Sequence, residues 1–245
     1  MSDSDSVPPA LRDFVADEII DCVLWQLKSG KEATVYVVHK DTERGRRLYA
    51  AKVYRDLEHR SFRRDEVYRQ GRVILDERLD RAVRGKTRMG REAAFGMWVS
   101  EEATMLGRAL DAGASVPQII AARGPAIVME YIGDGNGPAP MLAELELPRE
   151  EATEVFSVVI GDVEALLRAD IIHGDLSPFN LLYWRGEPVI IDMPQAVDAR
   201  LNRHARELFT RDVHNVCQYF RRAGVPSNPD GIATRVWGLY LRARL

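Results

Sequence analysis

Two cysteines in 245 residues, Cys22 and Cys217, are too few and too far apart for a disulfide framework. Neither has cysteine or histidine neighbours at zinc-ligand spacing, so a structural metal of that kind is excluded and reduced, mostly buried thiols are expected. No stretch reaches the roughly eighteen apolar residues of a membrane span. The first six residues, Met1 to Ser6, carry acids where a signal peptide carries lysine or arginine. The expectation is a cytoplasmic protein with no membrane partner. Neither sign of charge dominates, and a net charge of −3 gives no global attraction to polyanions. The segment 55–91 is rich in arginine, but its interleaved acids read at least as readily as a solvated mixed-charge helix face. It leaves room for a nucleic-acid contact without calling for one. Repeats and low-complexity tracts are also missing. A composition 46% hydrophobic and 29% charged is that of an ordinary globular chain, long enough for one large domain or two small lobes.

What is present begins with a polar tail (1–9) and a short helical pattern over Ala10 to Asp17, with Leu11, Phe14 and Val15 on one side. Three runs rich in β-branched and aromatic residues follow, Ile19 to Leu27, Thr34 to His39 and Leu48 to Tyr54. The polar turns between them predict an antiparallel meander. The first turn, Lys28-Ser29-Gly30-Lys31-Glu32, can lie against phosphates, because Gly30 admits close approach and Ser29 and nearby N–H groups can donate to an anion. It has one glycine where G-x-G-x-x-G loops have three, so by itself the signal is weak. Lys52 interrupts the apolar run Ala50 to Tyr54. A lysine there is costly to bury unpaired, which points to a carboxylate and a bound anion as its partners.

Residues Arg60 to Leu110 are largely helical by pattern, with a mobile loop expected at about 80–90. Phe95, Trp98, Val99, Ala103, Leu106 and Leu110 make an apolar face beside which Glu102 could turn towards Lys52, with Glu101 as the competing candidate. Val116 to Ile120 and Ala126 to Gly133 read as strands, and the Gly/Pro-rich segment after them as a linker (133–147) between an N-terminal lobe (10–132) and a C-terminal lobe (148–245). Backbone near Glu130 to Ile132 is expected to meet an adenine edge, with Met129 at the back of the pocket. Helices are expected over Pro148 to Ala169, Asn202 to Ala223 and Ile232 to Leu245.

Between the first two of these helices lies His173-Gly174-Asp175-Leu176-Ser177-Pro178-Phe179-Asn180, followed by the apolar run Val189-Ile190-Ile191 that ends on Asp192. An acid, an amide five positions on, and a second acid at the end of a buried strand suit phosphoryl transfer. That reaction asks for positioning and charge neutralisation rather than covalent work. Asp175 would accept or orient the proton of an attacking hydroxyl or water. Asn180 and Asp192 are hard oxygen ligands for Mg²⁺. His173 reads as support for the loop.

These motifs resemble those of the RIO family of atypical protein kinases, nearest its RIO-one subgroup. Ser29-Gly30-Lys31-Glu32-Ala33-Thr34-Val35-Tyr36 resembles the family's phosphate loop, the stretch His173 to Asn180 its catalytic loop, and Ile190-Ile191-Asp192-Met193-Pro194-Gln195-Ala196-Val197 its metal loop. The resemblance extends from about Phe14 to about Ala223. It implies an α+β, two-lobed kinase-like fold, a small antiparallel-sheet lobe plus a mainly helical lobe, reduced to the type without an activation segment. It also implies an ATP site lined by Ser29, Gly30, Lys31, Val35, Lys52, Met129, Glu130, Ile132 and Asn180, and Mg²⁺ or Mn²⁺ on Asn180 and Asp192. Lys52 and Glu102 would form the ion pair and Asp175 accept the proton, while Asp192 can itself take the phosphoryl group. A protein substrate or ribosome-related partner is the family's pattern, left open here because the extended tails are missing.

Three functions fit these residues: a protein kinase or ATPase; a small-molecule kinase, since His-Gly-Asp with Asn five positions later is also similar to aminoglycoside and choline phosphotransferases; and a binding module regulated by nucleotide occupancy. The Ser-Gly-Lys-Glu turn and the Asp-Met-Pro-Gln loop favour the first over the second.

Overall fold

The computed structural model describes residues 7–55 and 88–245, with side chains of the helix that opens at Arg88 described from Val99 onward. Most of the loop expected at about 80–90, the helical pattern over 60–87 and the side chains of Phe95 and Trp98 lie outside the described residues. Arg88 to Gly90 are the first turn of a helix. The chain divides into two compact units. The first holds residues 7–55, 88–104 and 118–135, and the second holds 105–117 and 136–245.

In the first unit a 3₁₀ turn leads into helix α1 (Arg12–Ala16). Five strands then form one antiparallel sheet in the order β1-β2-β3-β5-β4: β1 (Cys22–Ser29), β2 (Ala33–Thr42), β3 (Gly45–Tyr54), β4 (Ile119–Arg123) and β5 (Ala126–Glu130). Several strand boundaries differ from the sequence reading: β2 and β3 run three residues further towards their shared turn, β5 stops three residues sooner at Glu130, and two strand starts have a local cause. β1 opens at Cys22 rather than Ile19, because the N–H groups of Ile19 and Ile20 fold back onto the Phe14 carbonyl and close α1. β4 opens at Ile119 rather than Val116, and Pro117 just before it has no N–H to give a ladder.

Strand alternation assigns the two faces of this sheet. One gathers Val38, Ala51, Ala126 and Val128 against Leu11, Phe14 and Ile20. The other gathers Ala33, Tyr54 and Ile127 against Val99 of helix α2 (Arg88–Asp111), with Ala103, Ile119 and Met129 packed alongside. Burying a side chain of the size of Phe14 or Ile20 contributes about 1.5–3 kcal/mol, so each face supplies its own core. Leu110, expected on the apolar face of α2, is instead 38% exposed.

The second unit is mainly helical. Helix α3 (Arg149–Arg168) buries Val155, Val159, Val163, Leu166 and Leu167. Glu150 and Glu151 in its first turn and Arg168 in its last complement its dipole. Four short strands follow: β6 (Ile171–Ile172), β7 (Leu181–Trp184), β8 (Glu187–Ile190) and β9 (Val197–Asp198). β7 and β8 form a hairpin through Arg185 and Gly186, whose φ values of 55° and 89° match the twist of a two-residue type I′ turn. β9 pairs with β6. Helix α4 (Ala205–Arg222) starts three residues later than expected, because the Asn202 carboxamide accepts the His204 N–H and holds the chain in a turn. Helix α5 (Pro229–Leu241) starts three residues earlier, with Asn228 accepting the Gly231 N–H as its cap and Pro229 in the first turn. Among the described residues no helix is long and apolar enough to cross a membrane.

Candidate active site

The candidate residues fall into two groups, one in each unit. In the first unit, alternation along β3 puts Lys52 and Tyr54 on the face that meets α2, and helical spacing puts Val99, Glu102 and Ala103 on one side of that helix. Lys52 Nζ donates to Glu102 Oε1 at 2.8 Å, and the Tyr54 hydroxyl donates to Oε2 of the same carboxylate. Of the two acids weighed from the sequence, Glu102 is thus placed on Lys52. The two charged side chains are only 12% and 2% exposed, so the pair is largely withdrawn from water. Removal of Lys52 would leave the buried Glu102 carboxylate without its cation. Burial also drives the Tyr54 phenol well above its ordinary value of 10, so it is held as a donor.

The turn between β1 and β2 is more occupied than its sequence suggests. Gly30 N–H donates to the Ala33 carbonyl at 2.8 Å. The Arg55 guanidinium donates to the hydroxyls of Ser29 and Thr34. A Cβ on Gly30 would meet the Ala33 carbonyl at 3.4 Å, an ordinary van der Waals contact, and its φ is not left-handed, so neither packing nor backbone conformation within the turn itself requires a glycine here. Lys31 is exposed in the turn, and Val35 pairs with Lys52 across β2 and β3. Further along the sheet Met129 is half-buried in the cluster beside α2. Glu130 closes β5 with its N–H on the Gln118 carbonyl, and Ile132 is buried just beyond the strand.

In the second unit both functional loops are anchored by backbone. The loop 173–180 leaves β6 and enters β7, and the loop 191–196 leaves β8 and enters β9, which returns to β6. Two straps join them. Ile191 N–H donates to the Asn180 carbonyl at 2.9 Å, and His173 Nε2 lies 3.2 Å from the Ile191 carbonyl. His173 Nδ1 accepts the Asp175 N–H at 3.3 Å, so the ring braces both loops. Asn180 Nδ2 donates to the Asp175 carbonyl at 2.9 Å, which occupies the amide nitrogen and leaves the amide oxygen as the candidate ligand atom. Asp175 and Asp192 are exposed. Asp192 sits at φ 65°, in the left-handed region that only glycine, asparagine and aspartate visit with ease.

Beneath the loop lies a residue that the sequence reading passed over. Asp212 of α4, 3% exposed, accepts the N–H of Gly174 at 2.7 Å and of Leu176 at 3.0 Å. Burial lifts its carboxyl to about 6, against the lowering pull of His173 and the two N–H groups. Its neighbours complete the clamp. Arg211 donates to the Gly174 carbonyl, and Asn215 Nδ2 donates to the Leu176 carbonyl at 3.0 Å. The available signal was a carboxylate inside the inward stripe Leu208, Phe209, Val213, Val216, where nothing polar belongs without backbone groups to satisfy.

The donor set fits Mg²⁺, since an amide oxygen and a carboxylate on adjacent, strapped loops are hard ligands of the kind this ion takes together with phosphate oxygens and water. Asp21, His39 and Asp41 also gather within 4.8 Å. There, however, Lys40 lies on Asp21 at 2.7 Å and Asp41 N–H on its other oxygen, so the carboxylate already has its cation.

A RIO domain model matches residues 34–231. The chain is 32% identical over 234 residues to the RIO-type serine/threonine-protein kinase Rio1 of Haloferax volcanii, covering 96% of this chain and 75% of that protein. It is 30% identical over 219 residues to the serine/threonine-protein kinase RIO1 of Homo sapiens, where it covers 86% of itself but 34% of the relative. Among solved structures the Rio2 kinase from Chaetomium thermophilum superposes with a TM-score of 0.67 at 22% identity, covering 96% of this chain and 71% of that one. The ADP/Mg²⁺-phosphoaspartate complex of that kinase gives 0.64 at 20%, covering 96% and 69%. At those identities the superpositions speak for the fold alone, an α+β kinase-like arrangement in which β9 leads straight to α4 with no activation segment between them. The family model over most of the chain and the archaeal relative along nearly all of it carry the classification: the chain belongs to the RIO family, and its named relatives are serine/threonine-protein kinases.

Proposed function

We propose that the chain transfers the γ-phosphoryl group of ATP, with Mg²⁺ as cofactor, either to a serine or threonine hydroxyl or, by way of Asp192, to water. The observation that carries this reading is the pair of straps from Ile191, one to Asn180 and one to His173, which tie the loop that carries Asp192 to the loop that carries Asn180 and the exposed acid Asp175. Lys52, held by Glu102, takes the α- and β-phosphates as a fixed cation. Asp175 orients the acceptor oxygen and receives its proton. Bound Mg²⁺, on Asn180 and Asp192, supplies neutralisation of charge on the transferred group.

In the hydrolytic branch a carboxylate oxygen of Asp192 forms the new P–O bond as the bond to ADP breaks. Water then cleaves the acyl phosphate, giving up a proton to Asp175 and releasing phosphate. The phosphoaspartate named in the Chaetomium Rio2 complex supports this branch.

The two branches separate with γ-labelled ATP. Label on an added protein's serine or threonine marks the kinase. Label on the chain itself that survives acid, is released by hydroxylamine and is lost in Asp192→Asn marks the aspartyl-phosphate route. Turnover that persists in EDTA would count against the whole reading.

A further inference from the structure

We infer that Tyr54 is a positioning residue for the nucleotide-binding lysine, acting through Glu102. The inference rests on the reading of Lys52 and Glu102 given above and names a third member of that pair. Three observations carry it. The Tyr54 hydroxyl donates to Glu102 Oε2 while Lys52 Nζ takes Oε1, so each carboxylate oxygen has its own donor. The Lys52 ammonium lies 5.1 Å from the centroid of the Tyr54 ring, within reach of a cation–π contact. Tyr54 itself is 4% exposed and wedged among Ala33, Val99 and Ile127, with its N–H on the Pro125 carbonyl at 2.8 Å.

Their combination matters more than any one of them. Lysine and glutamate are long and flexible, and a pair of them held only by each other can swing as a unit. A tyrosine has two side-chain torsions, both fixed here by packing. Its hydroxyl fixes the carboxylate, and its ring face lies beside the ammonium. Burial keeps the phenol protonated, so this donor stays in place across the working pH range. The i, i+2 spacing of Lys52 and Tyr54 on β3 is what brings both onto the α2 face.

Tyr54→Phe removes the hydroxyl and keeps the ring. Nucleotide affinity, titrated with a fluorescent ATP analogue well below the melting temperature, should fall roughly tenfold, the size of one lost hydrogen bond to a charged group. In Glu102→Gln the same substitution should cost less than threefold, because the group it acts through is already altered. A purely structural Tyr54 would lower the melting temperature and leave the affinity unchanged. Wild-type affinity in Tyr54→Phe, or a tenfold loss repeated in full in Glu102→Gln, overturns the inference. Lys52→Ala separates the two levels of the argument. If it leaves affinity intact, the functional reading of the pair fails. If it abolishes binding while Tyr54→Phe binds as wild type, only the role of Tyr54 fails.

Discussion

The two units hold their functional groups by opposite means. In the sheet unit Lys52, Glu102 and Tyr54 bond one another side chain to side chain, largely withdrawn from water. In the helical unit Asp175 and Asp192 point outward, and their places are fixed by main-chain bonds among the loops, by the His173 brace and by the Asp212 clamp below. Where function and packing are the same contact, they are lost together. Where a scaffold carries the working groups on its surface, the chemistry can be deleted with the scaffold left standing.

Four substitutions sharpen or break this contrast. The largest effect is expected for Asp175→Ala. Turnover should fall by about 10²–10⁴, the usual worth of a positioned acid–base group, while thermal stability stays within about 0.5 kcal/mol, as for an exposed side chain with no buried partner. A melting temperature that collapses with the activity would show the acid to be part of the scaffold. Next comes Lys52→Ala. It should weaken nucleotide binding and also destabilise the sheet unit, by about 3–5 kcal/mol if the Glu102 charge stays ionised. Chemical denaturation should report both, and a loss of binding at unchanged stability would erase the distinction between the units.

Asp212→Asn is third, at about 1–3 kcal/mol, since its amide keeps one acceptor oxygen for two buried N–H groups. Its pH behaviour has two opposed parts. The folded carboxyl titrates at about 6, above its ordinary 3.8. Between those values the folded state holds the extra proton, so this group's contribution to stability falls as pH rises. The clamp, however, needs the carboxylate. Turnover should therefore drop as pH falls through about 6 with no matching loss of stability from this group. Asp212→Asn should erase that limb of the pH–rate profile. The smallest effect is expected for Arg55→Ala. Its exposed bonds to Ser29 and Thr34 are worth less than about 1 kcal/mol, and ATP affinity should move less than threefold.

The sheet unit was legible because its signals are local. Alternation along β2 and β3 and the lone lysine in an apolar strand are visible in a window of ten residues. The loops around 173–180 and 191–196 stood out as residue types at fixed spacing. What stayed hidden depends on partners far away in the chain. The choice of Glu102 over Glu101 turns on which side of α2 Val99 and Ala103 occupy, a fact of packing. Asp212 lies 38 residues from the Gly174 N–H that it binds, and Tyr54 is 48 from Glu102. In both cases a residue that reads as core filling or as an interruption carries a polar task that only tertiary contact reveals. The starts of α4 and α5 were misjudged for a smaller reason: the reading followed apolar periodicity, whereas side-chain bonds by Asn202 and Asn228 set where each helix begins.

The left-handed backbone at Asp192 narrows what can stand there. The metal role proposed for Asp192 asks for an oxygen-bearing side chain, and its φ of 65° asks for a residue that tolerates a conformation costing most others about 1 kcal/mol or more. Aspartate and asparagine, whose short side chains can bond their own backbone, take this conformation at least cost, whereas a glutamate or an alanine takes it under strain, as Glu18 at φ 55° and Ala243 at φ 49° do elsewhere in the chain. Alanine, the usual inactivating replacement, would add about 1 kcal/mol of backbone strain to the loss of the carboxylate, so Asp192→Asn isolates the chemistry more cleanly.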